Sequence, residues 1–322
     1  MNPAFAVIFL TTLIGVGQGL FLALYAAEVL ALVGIVAAPD GSSFYALGSA
    51  ISLIFLAAGL AASFFHLGHP ERAWRAASMW RTSWLSREVI VLPAFMLTVF
   101  LYGVMHYFGW HAATGSVAAR TAAITGGIGI ILCFALFVCT GMIYACIRFL
   151  QEWASPLTLI NYFLLGCASG FTLATAFAFF TAPDLVRIYG IAAILFTLAA
   201  LIGRTASLYR NARIKPKSTL QTATGIRHPR IVQKAQGAMG GSFNTREFFH
   251  GKGAQFLRSV KWIFLVLVFP VPVMLLGSGL AKASALLLSA AFIAQYIGLI
   301  AERWFFFAQA NHPQNLYYQQ IS

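Results

Sequence analysis

The run from Thr121 to Ile147, TAAITGGIGIILCFALFVCTGMIYACI, contains no Asp, Glu, Lys, Arg or His over 27 residues. As an α-helix rising about 1.5 Å per residue it would extend about 40 Å, which exceeds the roughly 30 Å hydrocarbon core of a bilayer. An uncharged apolar stretch of this length is typical of a transmembrane helix. It therefore predicts that the chain crosses a membrane.

Runs of the same kind recur along the whole chain of 322 residues. Hydrophobic residues make up 60% and charged residues only 9%, whereas soluble domains carry about 25% charged residues. This composition excludes a soluble enzyme, a disordered chain, a collagen and a coiled coil. The predicted fold class is all-α, an integral membrane bundle of eight transmembrane helices at residues 4–36, 44–65, 88–108, 117–147, 156–180, 185–208, 260–280 and 283–306.

Three regions follow from these segments. Residues 1–208 hold the first six predicted helices, residues 209–259 form a basic loop, and residues 260–322 hold the last two helices and a C-terminal tail. The polar connection 66–88 joins the second and third helices, and Pro70 favours the start of a short helix within it. Gly277 and Gly279 are expected to supply the reversal between the last two helices.

The basic residues divide unevenly between the two sides of this bundle. The chain carries 21 Lys and Arg against 8 Asp and Glu, a formal charge of +13. If the chain crosses the membrane eight times, 18 of these 21 basic residues lie on the side of both termini and the long loop. Only Arg120, Arg187 and Lys282 lie on the other side. Because cytoplasmic loops are enriched in Lys and Arg, we expect cytoplasmic termini in a bacterial inner membrane. Attraction to anionic membrane lipid is expected as a further use of this positive charge. No nucleic-acid partner is expected, because the loop lacks an aromatic stacking pattern.

The connection between the second and third predicted helices has the densest polar sequence. His66 ends one helix and Glu88 begins the next, so a short connection would hold the two side chains together at the cytoplasmic edge of the hydrocarbon region. A quinone headgroup arriving from the membrane needs hydrogen-bond donors and groups that pass protons, and His and a partly buried carboxylate suit both tasks. We predict a quinone site with His66 and Glu88 as its catalytic residues, His66 as headgroup partner and proton donor and Glu88 as proton relay.

The residues between His66 and Glu88 complete this hypothesis. Arg72, Trp74 and Arg75 are expected to take part in quinone binding, with the arginines also available to anchor the loop or contact a partner subunit. The alternative is that these Arg and Trp residues only anchor the chain at the membrane interface, where both types are common.

Metal sites are not expected in this chain. Cys133, Cys139, Cys146 and Cys167 lie in apolar segments without CxxC spacing, so they are predicted to be small buried side chains and not zinc or iron–sulfur ligands. A b-type haem needs axial ligands at matching depth. The histidines fall at the membrane edges, with His106 at the outer edge, or in the loop and tail, and no haem is expected.

Six further polar residues lie inside or near the predicted helices. Gln18 and Glu28 lie in the first helix, and Glu28 is expected to be either an interfacial carboxylate or part of a proton path from the outer side. Asn161 and Tyr162 are expected to form hydrogen bonds between helices. Glu302-Arg303 is expected to pair with its neighbours or to cap the last helix, near the cytoplasmic site.

Two motifs resemble a known family. They are His66-Leu67-Gly68-x-Pro70-x-Arg72-Ala73 followed by Leu85-Ser86-x-Glu88, and Glu302-Arg303 with the aromatic residues after it. They resemble the membrane anchor subunits of the dimethyl sulfoxide reductase type, over most of the chain outside the basic loop. The resemblance implies partners in a molybdopterin catalytic subunit and an iron–sulfur subunit, which alone carry molybdopterin and clusters. In that family the residues that match His66 and Glu88 are associated with the quinone site.

The departures from the reductase anchors carry information too. Those anchors lack an insertion like residues 209–259 and their partners face the periplasm, whereas the charge distribution here places the motifs in the cytoplasm. This combination is similar to the anchors of cytoplasmically oriented, quinone-linked sulfite dehydrogenases. It implies partners docked on the cytoplasmic face and electrons from sulfite passing to ubiquinone or menaquinone.

Three alternatives stay open. The first is an anchor that oxidises quinol for a sulfoxide or polysulfide reductase, because the chain itself does not fix the direction of electron flow. The second is a transporter, which predicts internal repeats and charged residues near the middle of the bilayer. The third is a structural anchor without a quinone site, which would need no titratable pair beside an apolar cleft.

Overall fold

The computed structural model describes residues 1–65, 67–109, 117–232, 234, 248–313 and 315. Over these residues the chain is helical and contains no β-strand. The α-helices are α1 Phe5–Leu32, α2 Leu47–Phe64, α3 Trp84–Tyr107, α4 Val117–Ala145, α5 Pro156–Thr181, α6 Val186–Ala212, α7 Leu220–Thr224, α8 Ala254–Val268, α9 Pro270–Lys282 and α10 Ala285–Ala308. A π-helical turn, Gly41–Ala46, leads into α2, and 3-10 helices occupy Pro70–Met79 and Pro183–Leu185.

Eight helical segments in the described residues are long and apolar enough to cross a membrane, which confirms the predicted fold class. The seventh consists of α8 and α9 in succession, Ala254–Lys282. Pro270 lacks a backbone N–H and cannot continue the hydrogen bonding of α8, so the helix is interrupted at Phe269 (φ −112°, ψ −78°). The sequence placed the start of this span six residues too late, at Val260.

Two other boundaries differ from the sequence prediction. Helix α3 begins at Trp84 and not at Glu88, because the Ser83 hydroxyl caps it by accepting from the backbone N–H of Ser86. The reversal before α10 falls at Ala283 in the left-handed region (φ 47°) and not at Gly277 to Gly279. Gly279 lies within α9, where the absence of a side chain makes room for Leu288 of α10.

Helix α1 lies at the centre of the bundle and packs against α2, α4, α5 and α10. Its contact with α5 brings two backbones together. A Cβ on Gly19 would lie 2.2 Å from the carbonyl oxygen of Gly166, and a Cβ on Gly170 would lie 2.2 Å from the carbonyl carbon of Gly19. Small residues four apart on facing helices permit such close packing in lipid, where there is little hydrophobic drive to bring helices together.

The two ends of the bundle differ in what they join. At one end, here called the N-terminal end, Ile8 of α1 packs with Trp153 from the α4–α5 connection, and the Trp153 indole N–H donates to Phe306 O of α10 at 2.9 Å. At the same end, Arg210 of α6 donates to Gln151 O at 3.0 Å. The start of α1 and the ends of α6 and α10 therefore share this end with the Pro70–Met79 helix.

The connection between α6 and α8 also lies at the N-terminal end. Helix α6 extends to Ala212 and α8 begins at Ala254, so the connection is shorter on both sides than the predicted loop 209–259. Its described part contains the short helix α7, which is capped by Thr219 and ends at Gly225 in the left-handed region (φ 73°).

Candidate functional site

The Pro70–Met79 helix carries three of the predicted site residues on its surface. It starts at Pro70, as the sequence predicted. Arg72, Trp74 and Arg75 are all exposed, and their described contacts are local. Arg72 Nε lies 3.6 Å from Glu71 Oε1, and the Arg75 guanidinium lies 5.4 Å from the centre of the Trp74 indole. These contacts leave the three side chains accessible at the N-terminal end.

Glu88 is placed differently from those three residues. It lies in the second turn of α3 and is only 6% exposed. The Thr140 hydroxyl of α4 donates a hydrogen bond to Glu88 Oε1. The carboxylate therefore lies about 6 Å along α3 from its first residue, inside the bundle but close to the exposed helix that precedes α3.

His66 lies outside the described residues. Its neighbours in sequence frame the position: α2 ends at Phe64, and the described chain resumes at Leu67, whose N–H donates to Phe64 O at 3.2 Å. The pairing of His66 with Glu88 stays a prediction.

Arg87 fixes the turn that leads into α3, and the sequence analysis missed this role. Its Nε donates to Trp80 O at 2.9 Å, its second terminal nitrogen donates to Arg81 O at 2.8 Å, and its guanidinium lies 4.2 Å from the centre of the Trp84 ring. One side chain thus holds both ends of the turn next to Glu88. Thr140 was missed as well, because a lone Thr in an apolar helix carries no signal in the sequence.

A second buried charged cluster joins α6 and α10. Arg204 Nε lies 2.8 Å from Glu302 Oε1, and Arg303 Nε lies 2.9 Å from Glu302 Oε2. All three residues are at most 4% exposed. The sequence expected Glu302 and Arg303 to pair with their neighbours, and it did not identify Arg204 as a partner of Glu302. A signal was available for Arg204, because a charged residue inside an apolar run is rarely incidental.

Aromatic and polar side chains of α5 surround this cluster. The Arg303 guanidinium lies 4.0 Å from the centre of the Tyr162 ring. The Asn161 amide donates to the Ser207 hydroxyl of α6 at 2.8 Å. The predicted hydrogen bond between helices is therefore confirmed for Asn161.

A third buried cluster lies at the opposite end of the bundle. The Tyr102 hydroxyl donates to Glu28 Oε2 at 2.7 Å, and His106 Nε2 lies 3.6 Å from Glu28 Oε1. The Tyr45 ring stacks on the His106 ring with centres 4.3 Å apart. His106, the second-last residue of α3, lies at the end of its helix, and its side chain is only 1% exposed. Its predicted place at the outer edge of the membrane stays a prediction.

The cysteines match the predicted burial with one exception. Cys133, Cys139 and Cys167 are buried as predicted, whereas Cys146 follows the last residue of α4 and is exposed. Among the residues that the structure describes, no group of three or more His, Cys, Asp or Glu is arranged to hold a metal ion.

Comparison with known proteins gives two findings. Residues 1–308 match the family described as DMSO reductase anchor subunit (DmsC). The chain is also 55% identical to a sulfite dehydrogenase subunit from Allochromatium vinosum, in an alignment that covers the whole of both chains.

Proposed function

This chain belongs to the DMSO reductase anchor subunit family and is therefore a membrane anchor in an oxidoreductase complex with catalytic and iron–sulfur partner subunits, and on that premise we propose that it passes electrons from the iron–sulfur partner to membrane quinone during sulfite oxidation. The relative from Allochromatium vinosum, a sulfite dehydrogenase subunit, supports sulfite as the source of the electrons.

The burial of Glu88 is the observation that carries the quinone proposal. A carboxylate enclosed among apolar helices is costly unless it has a task or a full set of partners. Glu88 keeps one described partner, Thr140, and a residual exposure of 6%. Its place beside the Pro70–Met79 helix puts a group that can pass protons where apolar bundle and polar surface meet.

The residues around Glu88 can be given separate tasks. Sulfite and water yield sulfate, two electrons and two protons, and a quinone takes up two electrons and two protons to become a quinol. In this proposal His66 donates a hydrogen bond and a proton to the headgroup, and Glu88 relays protons while Thr140 holds its orientation. Arg87 keeps the turn in place, and Arg72, Trp74 and Arg75 contact the headgroup or the partner subunit.

The charge distribution supports an orientation for the complex. The N-terminal end carries the Pro70–Met79 helix, the end of α6 and the long connection, which hold most of the basic residues. We propose that this end faces the cytoplasm of a bacterium, with the chain in the inner membrane, and that both partner subunits dock on it. Basic side chains there would complement an acidic partner surface and speed its association.

The test compares two site variants with a matched control in the purified three-subunit complex. His66→Ala and Glu88→Gln are expected to lower sulfite-dependent reduction of a short-chain quinone analogue by about 100-fold, the scale of a lost proton-transfer group. Reduction of a water-soluble dye at the catalytic subunit should be unchanged. Glu71→Gln is the control, because Glu71 is an exposed carboxylate in the same connection.

Two results would decide against the proposal. If both variants assemble with full metal content and keep wild-type quinone turnover, the site is wrong. If the purified complex contains no molybdenum or iron–sulfur partner, the anchor role in sulfite oxidation is wrong.

A further inference from the structure

Three cavities at the N-terminal end follow one another and share lining residues. The outermost, of about 550 Å³, is open to the surface beside the α4–α5 connection and the end of α6. Glu152, Asn211 and Lys217 are among the polar residues that line it. Glu152 is half-buried there, and burial raises the pKa of its carboxyl group. A carboxyl group of this kind can take up and release protons closer to neutral pH than an exposed one.

The second cavity continues inward from the first. Glu152 and Asn211 line both, so the two meet at these side chains. The second cavity lies between α5, α6 and α10 and reaches Arg204, Glu302 and Arg303. It offers about 10 Å³ to the centre of a water molecule, close to what a single water needs.

The third cavity leads from the charged cluster toward Glu88. Tyr162 and Arg303 line both the second and the third cavity. The third also touches Gln18 and Thr140, and it offers about 20 Å³ to the centre of a water molecule. Because Thr140 donates its hydrogen bond to Glu88 Oε1, this cavity ends one side chain away from the proposed proton relay.

Packing closes the interior beyond this point. One turn after Gln18, Phe21 packs edge-to-face against Phe95 and Tyr102, with ring centres 5.4 and 5.5 Å apart. All three rings are fully buried. They lie between Gln18 and the cluster of Glu28 and His106, so the series of cavities leads from Glu88 toward the N-terminal end and away from that cluster.

The charges along the series oppose the trapping of a proton. Glu302 faces two guanidinium groups, so the cluster carries one positive charge in excess inside the bundle. This positive charge repels an additional proton, because buried surroundings screen charges poorly. The repulsion falls when negative charge arrives nearby. Proton movement through the cavities would thus follow the arrival of electrons at the quinone.

We propose that Glu152 takes up protons at the surface and delivers them to Glu88 through the two inner cavities. The proposal rests on the proposed function, because it supplies the protons for quinone reduction. Two protons enter for each two electrons, each leaving Glu152 inward and being replaced from water at the outermost cavity. Glu152 is a relay residue and not a catalytic one, since in this proposal it contacts neither the quinone nor the iron–sulfur cluster of the partner subunit.

The experiment uses the three-subunit complex with Glu152→Gln, Glu152→Asp and an Asp184→Asn control. Asp184 is an exposed carboxylate at the opposite end of the bundle. Glu152→Gln is expected to slow sulfite-dependent quinone reduction at least about tenfold, less than direct loss of an acid–base group. Glu152→Asp should keep most of the rate, added formate should restore part of the Gln variant's rate, and dye reduction at the catalytic subunit should not change.

A second substitution keeps the test decisive if Glu152→Gln does not assemble. Thr12→Val removes a hydroxyl that lines the third cavity and conserves the shape of the side chain. It is expected to slow quinone reduction in the same direction, by a smaller factor, with dye reduction unchanged. A wild-type rate in this variant would then count against the path.

The outcomes separate this inference from the proposed function. A collapse of activity in Glu88→Gln together with a wild-type rate in Glu152→Gln refutes the path and leaves the quinone site standing. Wild-type rates in both variants refute Glu88 as the proton relay together with the path, whereas a wild-type complex that does not reduce quinone with sulfite refutes the proposed function. A slow Glu152→Gln that neither Asp nor formate rescues shows a structural role and also overturns the path.

Discussion

Loss of the Glu302 carboxylate is predicted to destabilise the bundle strongly. Among the described residues Glu302 is the acidic partner of two buried guanidinium groups, at 2.8 Å from Arg204 and 2.9 Å from Arg303. Glu302→Gln keeps the shape of the side chain and leaves two positive charges without this counter-charge. Removal of one partner of a buried ion pair costs about 3–5 kcal/mol, mostly because the remaining charge is left buried. We expect the free energy of unfolding to fall by about that amount.

The charge count predicts an asymmetry within the same cluster. Arg204→Met removes one of two cations and leaves Glu302 paired with Arg303, so no uncompensated charge results. The loss is then that of a charge-assisted contact, about 1.5–3 kcal/mol. The order of destabilisation should be Glu302→Gln above Arg204→Met. The reverse order would be expected if the arginine mattered mainly for packing.

The assay is equilibrium unfolding of the purified chain in mixed micelles with increasing SDS, followed by tryptophan fluorescence. Glu71→Gln is the control, because Glu71 contacts His69 and Arg72 at the exposed surface. Exposed ion pairs are worth at most about 1 kcal/mol. Equal losses for Glu302→Gln and Glu71→Gln, or a loss below about 1 kcal/mol for the former, would refute the reasoning.

Three further predictions concern packing, capping and the turn before α3. Gly170→Leu should prevent assembly of the bundle, because the new side chain would meet the backbone of α1. Gly277→Leu is the control: a side chain there has no neighbour within 4 Å, so the yield and the gel-filtration profile should not change. Asp40 has a pKa lowered to about 2 by hydrogen bonds from Ser43 and Ser42. The stabilisation that the ionised Asp40 gives the fold is therefore present above pH 4 and is lost as pH falls through 2. Melting curves of Asp40→Ala should lack this pH dependence. Arg87→Ala should speed amide exchange at residues 80–84, measured by mass spectrometry, and exchange as slow as in the wild type would contradict its role in holding the turn.

The sequence by itself determined the architecture. Helices must satisfy their own backbone hydrogen bonds in a bilayer, so long uncharged runs leave one structural solution, and eight were recognised. Local signals also fixed the short helix at Pro70. The boundaries set by a single side chain, such as the Ser83 cap and the left-handed Ala283, were missed, because hydropathy averages over many residues and does not register them.

The sequence also reached part of the candidate site. Glu88 stood out because a carboxylate at the start of an apolar run needs an explanation, and the structure buries it. It could not reveal that Thr140 binds Glu88, or that Arg204 meets Glu302, since the partners lie on helices far apart in the chain. Hydropathy states that a residue is inside the membrane and not which helix it faces.

Only the tertiary structure decided which polar groups meet. The close approach of α1 and α5 at Gly19 and Gly170 sets how the other helices are arranged around the centre. That arrangement pairs Glu28 with His106 at one end and aligns the cavities between Glu152 and Glu88 at the other. In lipid the hydrophobic effect no longer selects a helix partner, so shape and buried hydrogen bonds make that choice.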